Sequence, residues 1–246
     1  MKNKIVELGI SSTEADELIK VSKDIVSDYN KLLNKYPIQY LIGYVNFYGY
    51  KINVNEDVLI PRYETEFLVE KTIKYANKIF DKNINILDLG TGSGAIAIAL
   101  KKELNSYVTG IDISKYALEV AKENAILNNA KIKFIQNDML NNIDEKFDLI
   151  ISNPPYIGEN EEVDESVKLY EPHLALYAQD NGLYYYDKIL RNIKKNLNDK
   201  FLIAFEIGCN QAIEIDNLIN KYLKNVKVII EKDLSDKDRY IFIMNE

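Results

Sequence analysis

The chain has 246 residues, 47% of them hydrophobic and 28% charged, which suits one full-size α/β domain plus a small appendage in an ordinary water-soluble protein. A net charge of −7 argues against wrapping extended nucleic acid, and a single cysteine (Cys209) excludes a disulfide framework or a cysteine-rich metal site. The single histidine (His173) argues against a multi-histidine metal site and a Ser-His-Asp triad, so no metal is expected.

Residues Met1 to Glu7 lack the apolar core of a signal peptide. No apolar run approaches the ~18 residues of a membrane helix, so a cytoplasmic chain with no membrane contact is expected. Ser11 to Leu33 reads as an amphipathic helix or a bent pair. Ser11 and Glu14 have capping-box spacing, and Leu18, Ile19, Ile25, Val26, Tyr29, Leu32 and Leu33 recur on one face. Pro37 ends the segment, giving a helical cap over 1–42. From Gly43 to Ile60 the period becomes two: Tyr50, Ile52 and Val54 alternate with polar residues and Gly49 supplies a turn. This predicts a β-hairpin over 43–62, linking the cap to a main domain over 63–246. Arg62 and Glu64 read either as an exposed ion pair at a helix start or as an arginine beside a pocket. Phe67 through Phe80 mark the helix itself.

Ile84 to Leu89 is a predicted strand, Gly90-Thr91-Gly92-Ser93-Gly94 the tight turn after it, and Ala95 opens a helix. Alternate glycines let backbone approach a ligand closely, and the helix start offers free N–H groups. The spacing is neither that of dinucleotide folds nor that of a P-loop. Val108 to Asp112 is the second strand. Asp112 ends it close to the distance from the turn at which an acid reaches ribose hydroxyls, although a helix N-cap shared with Ser114 would look similar. The third strand, Ile132 to Gln136, ends in Asn137-Asp138-Met139, where a polar group can meet an adenine amine and Met139 can cover the ring, as can an ordinary turn.

Phe147 to Ile151 is a buried strand that stops at Ser152-Asn153-Pro154-Pro155-Tyr156. Neither proline can donate a ladder hydrogen bond, so a stiff, non-helical corner is expected at the carboxyl end of a strand, where open α/β sheets bind ligands. Asn153 and Tyr156 on that corner suit a small planar group carrying an amide or amine. A long polar stretch, Gly158 to Gln179, follows and reads as a functional or mobile loop. A helix over 182–197, a strand over 201–206, a helix over 211–223 and strands over 226–231 and 240–244 complete the pattern. His173 and Cys209 read as residues without chemistry. An adenosyl-type site without a phosphate motif points to S-adenosylmethionine.

The order of motifs resembles the Rossmann-like class I methyltransferases, whose glycine loop is Asp88 to Gly94 here. That resemblance implies an α/β fold with a mixed seven-stranded sheet. Five further pieces resemble the release factor glutamine methyltransferases (the HemK/PrmC family): Pro37 to Gly43, Leu59-Ile60-Pro61-Arg62-x-Glu64-Thr65, Asn153 to Ile157, Glu171-Pro172-x-x-Ala175-Leu176, and Phe205-Glu206-Ile207-Gly208-x-x-Gln211. The match runs from about Pro37 to the C-terminus. About 36 residues precede Pro37, where members usually carry a longer helical domain.

The resemblance implies methyl transfer from S-adenosylmethionine, with S-adenosylhomocysteine as product, to the glutamine amide in the Gly-Gly-Gln motif of class I peptide chain release factors. Asn153, Pro154 and Tyr156 would act at the reacting amide, with Pro155 and Arg62 on the substrate side. Asp88, Gly90, Thr91, Gly92, Ser93, Gly94, Asp112, Ile113, Asp138, Met139 and Asn153 would hold the cofactor. The Asn153 oxygen and the Pro154 carbonyl would accept both amide N–H groups, Tyr156 would pack on the amide plane, and a monomer is expected. The alternatives are a glutamine methyltransferase acting on a large-subunit ribosomal protein, a nucleic-acid adenine methyltransferase and a non-catalytic cofactor-binding module. The adenine reading wants a basic, aromatic target-recognition segment that the sequence does not supply.

Overall fold

The computed structural model describes residues 1–81, 83–141 and 143–245; Lys82, Asn142 and Glu246, the last ending the predicted main domain, lie outside the described residues. The chain opens with helices α1 (Lys2–Val6), α2 (Ser12–Val21), α3 (Ile25–Leu33) and α4 (Ile38–Ile42). Their own small core is Ile5, Ala15, Leu18, Leu32 and Ile38. Of the two readings of Ser11 to Leu33, the bent pair holds, as α2–α3: Ser22 is extended, and the Asp24 carboxylate caps α3 by accepting from the Val26 and Ser27 N–H groups. Ser11 caps α2 by accepting from the Glu14 N–H, while its hydroxyl donates to the Glu14 carboxylate. The break resets the helical phase, so Leu18 and Leu32 are buried while Ile19, Val26 and Leu33 of the predicted face are exposed.

Strands β1 (Tyr44–Phe47) and β2 (Tyr50–Asn53) form the expected hairpin. Its two-residue turn, Tyr48-Gly49, has φ of 50° and 82°, as a tight turn matching strand twist requires. Pairing stops at Asn53, so the rest of the predicted hairpin is a connector leading to α5 (Tyr63–Ile79).

The main sheet then builds through β3 (Asn85–Leu89), α6 (Ala95–Glu103), β4 (Tyr107–Asp112), α7 (Lys115–Leu127), β5 (Ile132–Gln136) and β6 (Phe147–Ser152). After it come β7 (Ile157–Gly158), α8 (Glu165–Tyr170), α9 (His173–Leu176) and β8 (Tyr177–Ala178). The chain closes with α10 (Tyr184–Ile193), one 3-10 turn, β9 (Leu197–Glu206), α11 (Ala212–Tyr222), β10 (Val226–Lys232) and β11 (Asp238–Asn245). The strand order is β10-β11-β9-β6-β3-β4-β5. Strands β9, β6, β3, β4 and β5 run parallel, and β11 is antiparallel to both its neighbours. This is the expected mixed seven-stranded sheet. Strands β3 and β6 are buried on both faces because helices cover both sides, the condition that favours near-continuous hydrophobic runs. The order reverses at β3, which puts a crevice at the carboxyl ends of β3, β4 and β6.

The predicted loop over 158–179 is instead two short helices and a two-residue parallel pairing, β7 with β8. Asp164 caps α8, and Glu171, Leu176 and Ala178 are buried against the body, so the segment is packed despite its polar composition.

Candidate active site

The glycine turn sits on top of β3. Gly90, Gly92 and Gly94 all have positive φ (72°, 52° and 82°), which side chains with a Cβ resist. The Gly90 and Thr91 N–H groups donate to the Ile111 carbonyl, tying the turn to β4. The Asp112 carboxylate accepts from the Gly92 N–H at 2.8 Å and from the Ser114 N–H at 2.9 Å, so it fixes the turn and the entry to α7 together. Burial raises the pKa of this carboxyl, against the pull of those N–H groups. Ser114, not Asp112, caps α7, by accepting from the Ala117 N–H.

A cleft opens over this turn. Of the residues predicted to hold a cofactor, Gly90, Gly92, Asp112, Ile113, Asp138, Met139 and Asn153 line it. Asp88, Thr91, Ser93 and Gly94 lie beneath that lining and build the turn. The Thr91 hydroxyl donates to Asp88 at 2.6 Å, the Ser93 carbonyl accepts from Asn124, and a Cβ on Gly94 would press on Ala121. Burial pushes the Asp88 carboxyl up to about 7, and its Oδ1 has no partner among the described residues. A Cβ on Gly90 or Gly92 would meet no heavy atom within 4 Å, so the backbone there faces open space, as a surface made for close ligand approach does. Ile113, Met139, Leu174 and Tyr185 add apolar wall. Tyr185 belongs to no motif, and only its place in the run Tyr184-Tyr185-Tyr186 could have drawn notice. Asp138 is paired with Lys188 at 2.6 Å, and that bond partly occupies its carboxylate.

A second cavity lies on the other side of the Asn153 corner. Arg62, Asn153, Pro154, Tyr156 and Glu206 line it, together with Leu59 and part of α8 and α9. Pro155, predicted on the substrate side, turns to the cleft instead. Arg62 pairs with the buried Glu171 rather than with Glu64, and Glu171 also accepts from the Ile60 N–H at 3.1 Å. Arg62 thus forms no pair with its helix neighbour Glu64, and it lines this cavity.

The corner is braced from outside. Gln211 Nε2 donates to the Tyr156 carbonyl at 2.9 Å and to the Asn181 carbonyl at 3.1 Å, while its Oε1 accepts from the Gly208 N–H. The Tyr156 hydroxyl donates to Glu206 Oε1 at 3.4 Å, and its pKa is raised by burial and by that carboxylate. Thr65 donates to Glu206 Oε2 at 2.7 Å and accepts from Asn153 Nδ2 at 3.2 Å. Burial pushes the Glu206 carboxyl up to about 7, while the Thr65 hydroxyl and the Arg239 charge draw it down. Thr65, Glu171, Glu206 and Gln211 stood inside the resembling motifs without an assigned role. The fold brings Thr65, Glu206 and Gln211 to the corner and Glu171 to Arg62 at the cavity wall. Among the described residues no three His, Cys, Asp or Glu side chains are grouped to hold a metal, and no helix is long and apolar enough to cross a membrane.

Two families match parts of the chain: Methyltransferase small domain over residues 64–169 and Eco57I restriction-modification methylase over residues 123–237. Among solved structures, ribosomal protein L11 methylase from Lactobacillus delbrueckii subsp. bulgaricus superimposes with a TM-score of 0.56 at 22% identity, over 74% of this chain and 79% of that one, which shows the fold alone. Release factor glutamine methyltransferase of Enterococcus faecalis is 44% identical over 88% of this chain and 79% of its own length. The protein of the same name from Lactococcus lactis is 42% identical over 95% of this chain and 84% of its own. At that identity and coverage, with the glycine turn and the Asn-Pro-Pro-Tyr corner both in place, the chain belongs to the release factor glutamine methyltransferase family, a family of class I methyltransferase fold.

Proposed function

We propose that this protein transfers a methyl group from S-adenosylmethionine to the side-chain amide nitrogen of the glutamine in the Gly-Gly-Gln motif of class I peptide chain release factors. One observation carries the reading: Asn153 lines both the cleft over the glycine turn and the cavity beyond the corner, so a donor and an acceptor in the two spaces would meet at its side chain. Relatives named for this activity supply the substrate.

In this reading Gly90, Gly92, Asp112, Ile113, Asp138 and Met139 would hold the cofactor, and Asp88, Thr91, Ser93 and Gly94 would shape the turn beneath it. When bound, S-adenosylmethionine supplies an electrophilic methyl group. The acceptor is weak because the amide lone pair is delocalised into its carbonyl. Acceptors aimed at both amide N–H groups, the Asn153 oxygen and the Pro154 carbonyl, would orient the nitrogen and favour the positive charge that develops on it. Tyr156 would set the tilt of the amide plane, with Arg62 at the cavity wall. No general base is needed before the N–C bond forms, because the amide proton becomes acidic only as it forms. The same reading takes the enzyme as a cytoplasmic monomer without extended nucleic-acid contacts, in keeping with its charge of −7.

The test is to mix the protein with deuterium-methyl cofactor and its own unmodified class I release factor, then map the label by peptide mass spectrometry. Label on the Gly-Gly-Gln glutamine is expected. Label on a ribosomal protein or on adenine instead would replace the partner, and binding without any transfer would leave a non-catalytic module.

A further inference from the structure

A short chain of hydrogen bonds, Asn153–Thr65–Glu206–Tyr156, runs behind the cavity wall and joins α5, the corner and the end of β9 through two buried side chains, Thr65 and Glu206. Its proton inventory has a consequence for the amide. A threonine hydroxyl has one proton and two lone pairs, and an ionised carboxylate only accepts. With Glu206 ionised, the proton in the 2.7 Å contact between Thr65 and Glu206 comes from Thr65. Thr65 then offers Asn153 only a lone pair, so the amide presents its NH2 to Thr65 and leaves its oxygen for the acceptor side. With Glu206 protonated, the carboxyl can donate to Thr65 instead. The Thr65 proton is released toward Asn153, and the amide is stable turned over, its NH2 facing the N–H groups of the substrate amide. Two donors would then oppose each other.

We infer that Thr65 and Glu206 are positioning residues that select which end of the Asn153 amide faces the acceptor, and that ionised Glu206 is the productive form. The inference rests on the reaction proposed above.

The surroundings of Glu206 bear on when it ionises. Burial holds the proton on, and Glu64 at the start of α5 acts the same way. Arg239 on β11 and the hydroxyls of Thr65 and Tyr156 favour the charge. The Tyr186 hydroxyl from α10 is spent on the Glu206 backbone carbonyl at 2.7 Å, the Tyr240 hydroxyl on the Glu64 carbonyl, and Arg62 across the cavity on Glu171. The balance holds the carboxyl above the usual carboxylate range, at about 7, with burial the largest cause.

The experiment measures single-turnover methyl transfer to the release factor between about pH 6 and pH 8 for the parent, Thr65→Val, Thr65→Ser and Glu206→Gln, with cofactor affinity by calorimetry as the check on folding. The parent rate should rise with pH through the Glu206 titration. Thr65→Val, of nearly equal volume but without the hydroxyl, should lose about 10²-fold in rate with cofactor affinity kept. Thr65→Ser should recover most of that loss. Glu206→Gln, whose amide oxygen can accept from Thr65 at any pH, should transfer at a rate that no longer follows pH. Because all variants share one release factor, any titration of the substrate cancels in the ratios. A Thr65→Val rate within threefold of the parent, or a Glu206→Gln profile with the parent's pH limb, overturns the inference while the parent still labels its glutamine. A parent that labels nothing refutes the proposed reaction itself. If Thr65→Val binds no cofactor, the Glu206→Gln and Thr65→Ser profiles decide alone.

Discussion

Replacing Gly182 by alanine is a severe test of the outside brace on the corner. Gly182 has φ of 85°, and a Cβ built there would lie 2.0 Å from the Tyr156 carbonyl oxygen and 2.3 Å from Gln211 Nε2. Contacts that short cannot exist, so the Tyr156 carbonyl and residue 182 must separate by about 1 Å and Gln211 must also leave its place. Left-handed backbone in a residue with a Cβ contributes roughly 1–2 kcal/mol of destabilisation. Losing the Gln211 bonds to the Tyr156 and Asn181 carbonyls leaves two acceptors short and contributes roughly 1–3 kcal/mol more. Together these lower Tm by roughly 10 °C for a chain of this length. A displacement of about 1 Å at the corner should also lower the single-turnover rate about 10²-fold, measured well below both melting transitions. Gly9→Ala is the matched control: its φ is 86°, and a Cβ there meets nothing within 4 Å, so it carries the backbone strain alone. Its rate should equal the parent's. If Gly182→Ala melts with Gly9→Ala and transfers at the parent rate, the Gln211 brace does not hold the corner.

Three further outcomes are expected. Asp112→Ala should weaken cofactor affinity by at least about tenfold in calorimetry, because the Gly92 and Ser114 N–H groups lose their acceptor and the cleft loses its acid; unchanged affinity would reduce Asp112 to a turn residue. Glu171→Ala should destabilise by about 2–3 kcal/mol in urea titration, below the range for fully buried pairs because the Arg62 side chain is 35% exposed, and Glu171→Gln should recover part of it through the Ile60 N–H. A loss under about 0.5 kcal/mol would make the pair incidental. Asp88, at about 7 when folded, holds its proton more tightly than in the unfolded chain. Its contribution to stability is therefore full below about pH 4 and is lost as pH rises through about 7. Asp88→Asn, which cannot titrate, should gain stability relative to the parent between about pH 5 and pH 8, and a constant difference in urea midpoint would show that Asp88 is already ionised when folded.

The centre of the sheet was legible because its inner strands are buried on both faces, so apolar runs such as Leu149-Ile150-Ile151 carry the signal without any need for alternation. The glycine turn and the double proline were legible because they are local: each follows a strand and dictates its own backbone. What escaped depends on side chains meeting across long sequence distances. Asn124, in the middle of α7, donates to the Asn53 and Ser93 carbonyls and accepts from the Asn53 N–H, joining the hairpin's end to the glycine turn. In sequence it is only a polar residue among alanines. Arg62 was readable as a cavity residue or an exposed pair, but its true partner is Glu171, which no spacing rule connects to it. The polar composition of 158–179 hid two short helices because each has too few turns to show a period. The bent pair was among the readings of this segment, but placing Ile19, Val26 and Leu33 with Leu18 and Leu32 on one face did not hold, because the cap at Asp24 resets the phase of α3.

The convergence of the separated motifs on one corner follows from what the corner lacks. Pro154 and Pro155 have no N–H, so this stretch cannot be locked by extending the β6 ladder beyond Ser152. The prolines stiffen φ but leave the direction of the corner to other groups. Ser152 anchors its start by donating to the Leu89 carbonyl, Gln211 fixes its end at the Tyr156 carbonyl, and Thr65 holds the Asn153 amide between them. Each of these groups comes from a different element, β6, the start of α11 and α5, so in the proposed reaction the acceptors for the amide nucleophile would be set by the packing of the whole domain. Glycine at 182 belongs to the same arrangement, since only a residue without a Cβ lets the chain before α10 pass beside the Tyr156 carbonyl while Gln211 reaches it. A corner built this way trades local hydrogen bonding for direction, and direction is what transfer to an amide nitrogen needs most.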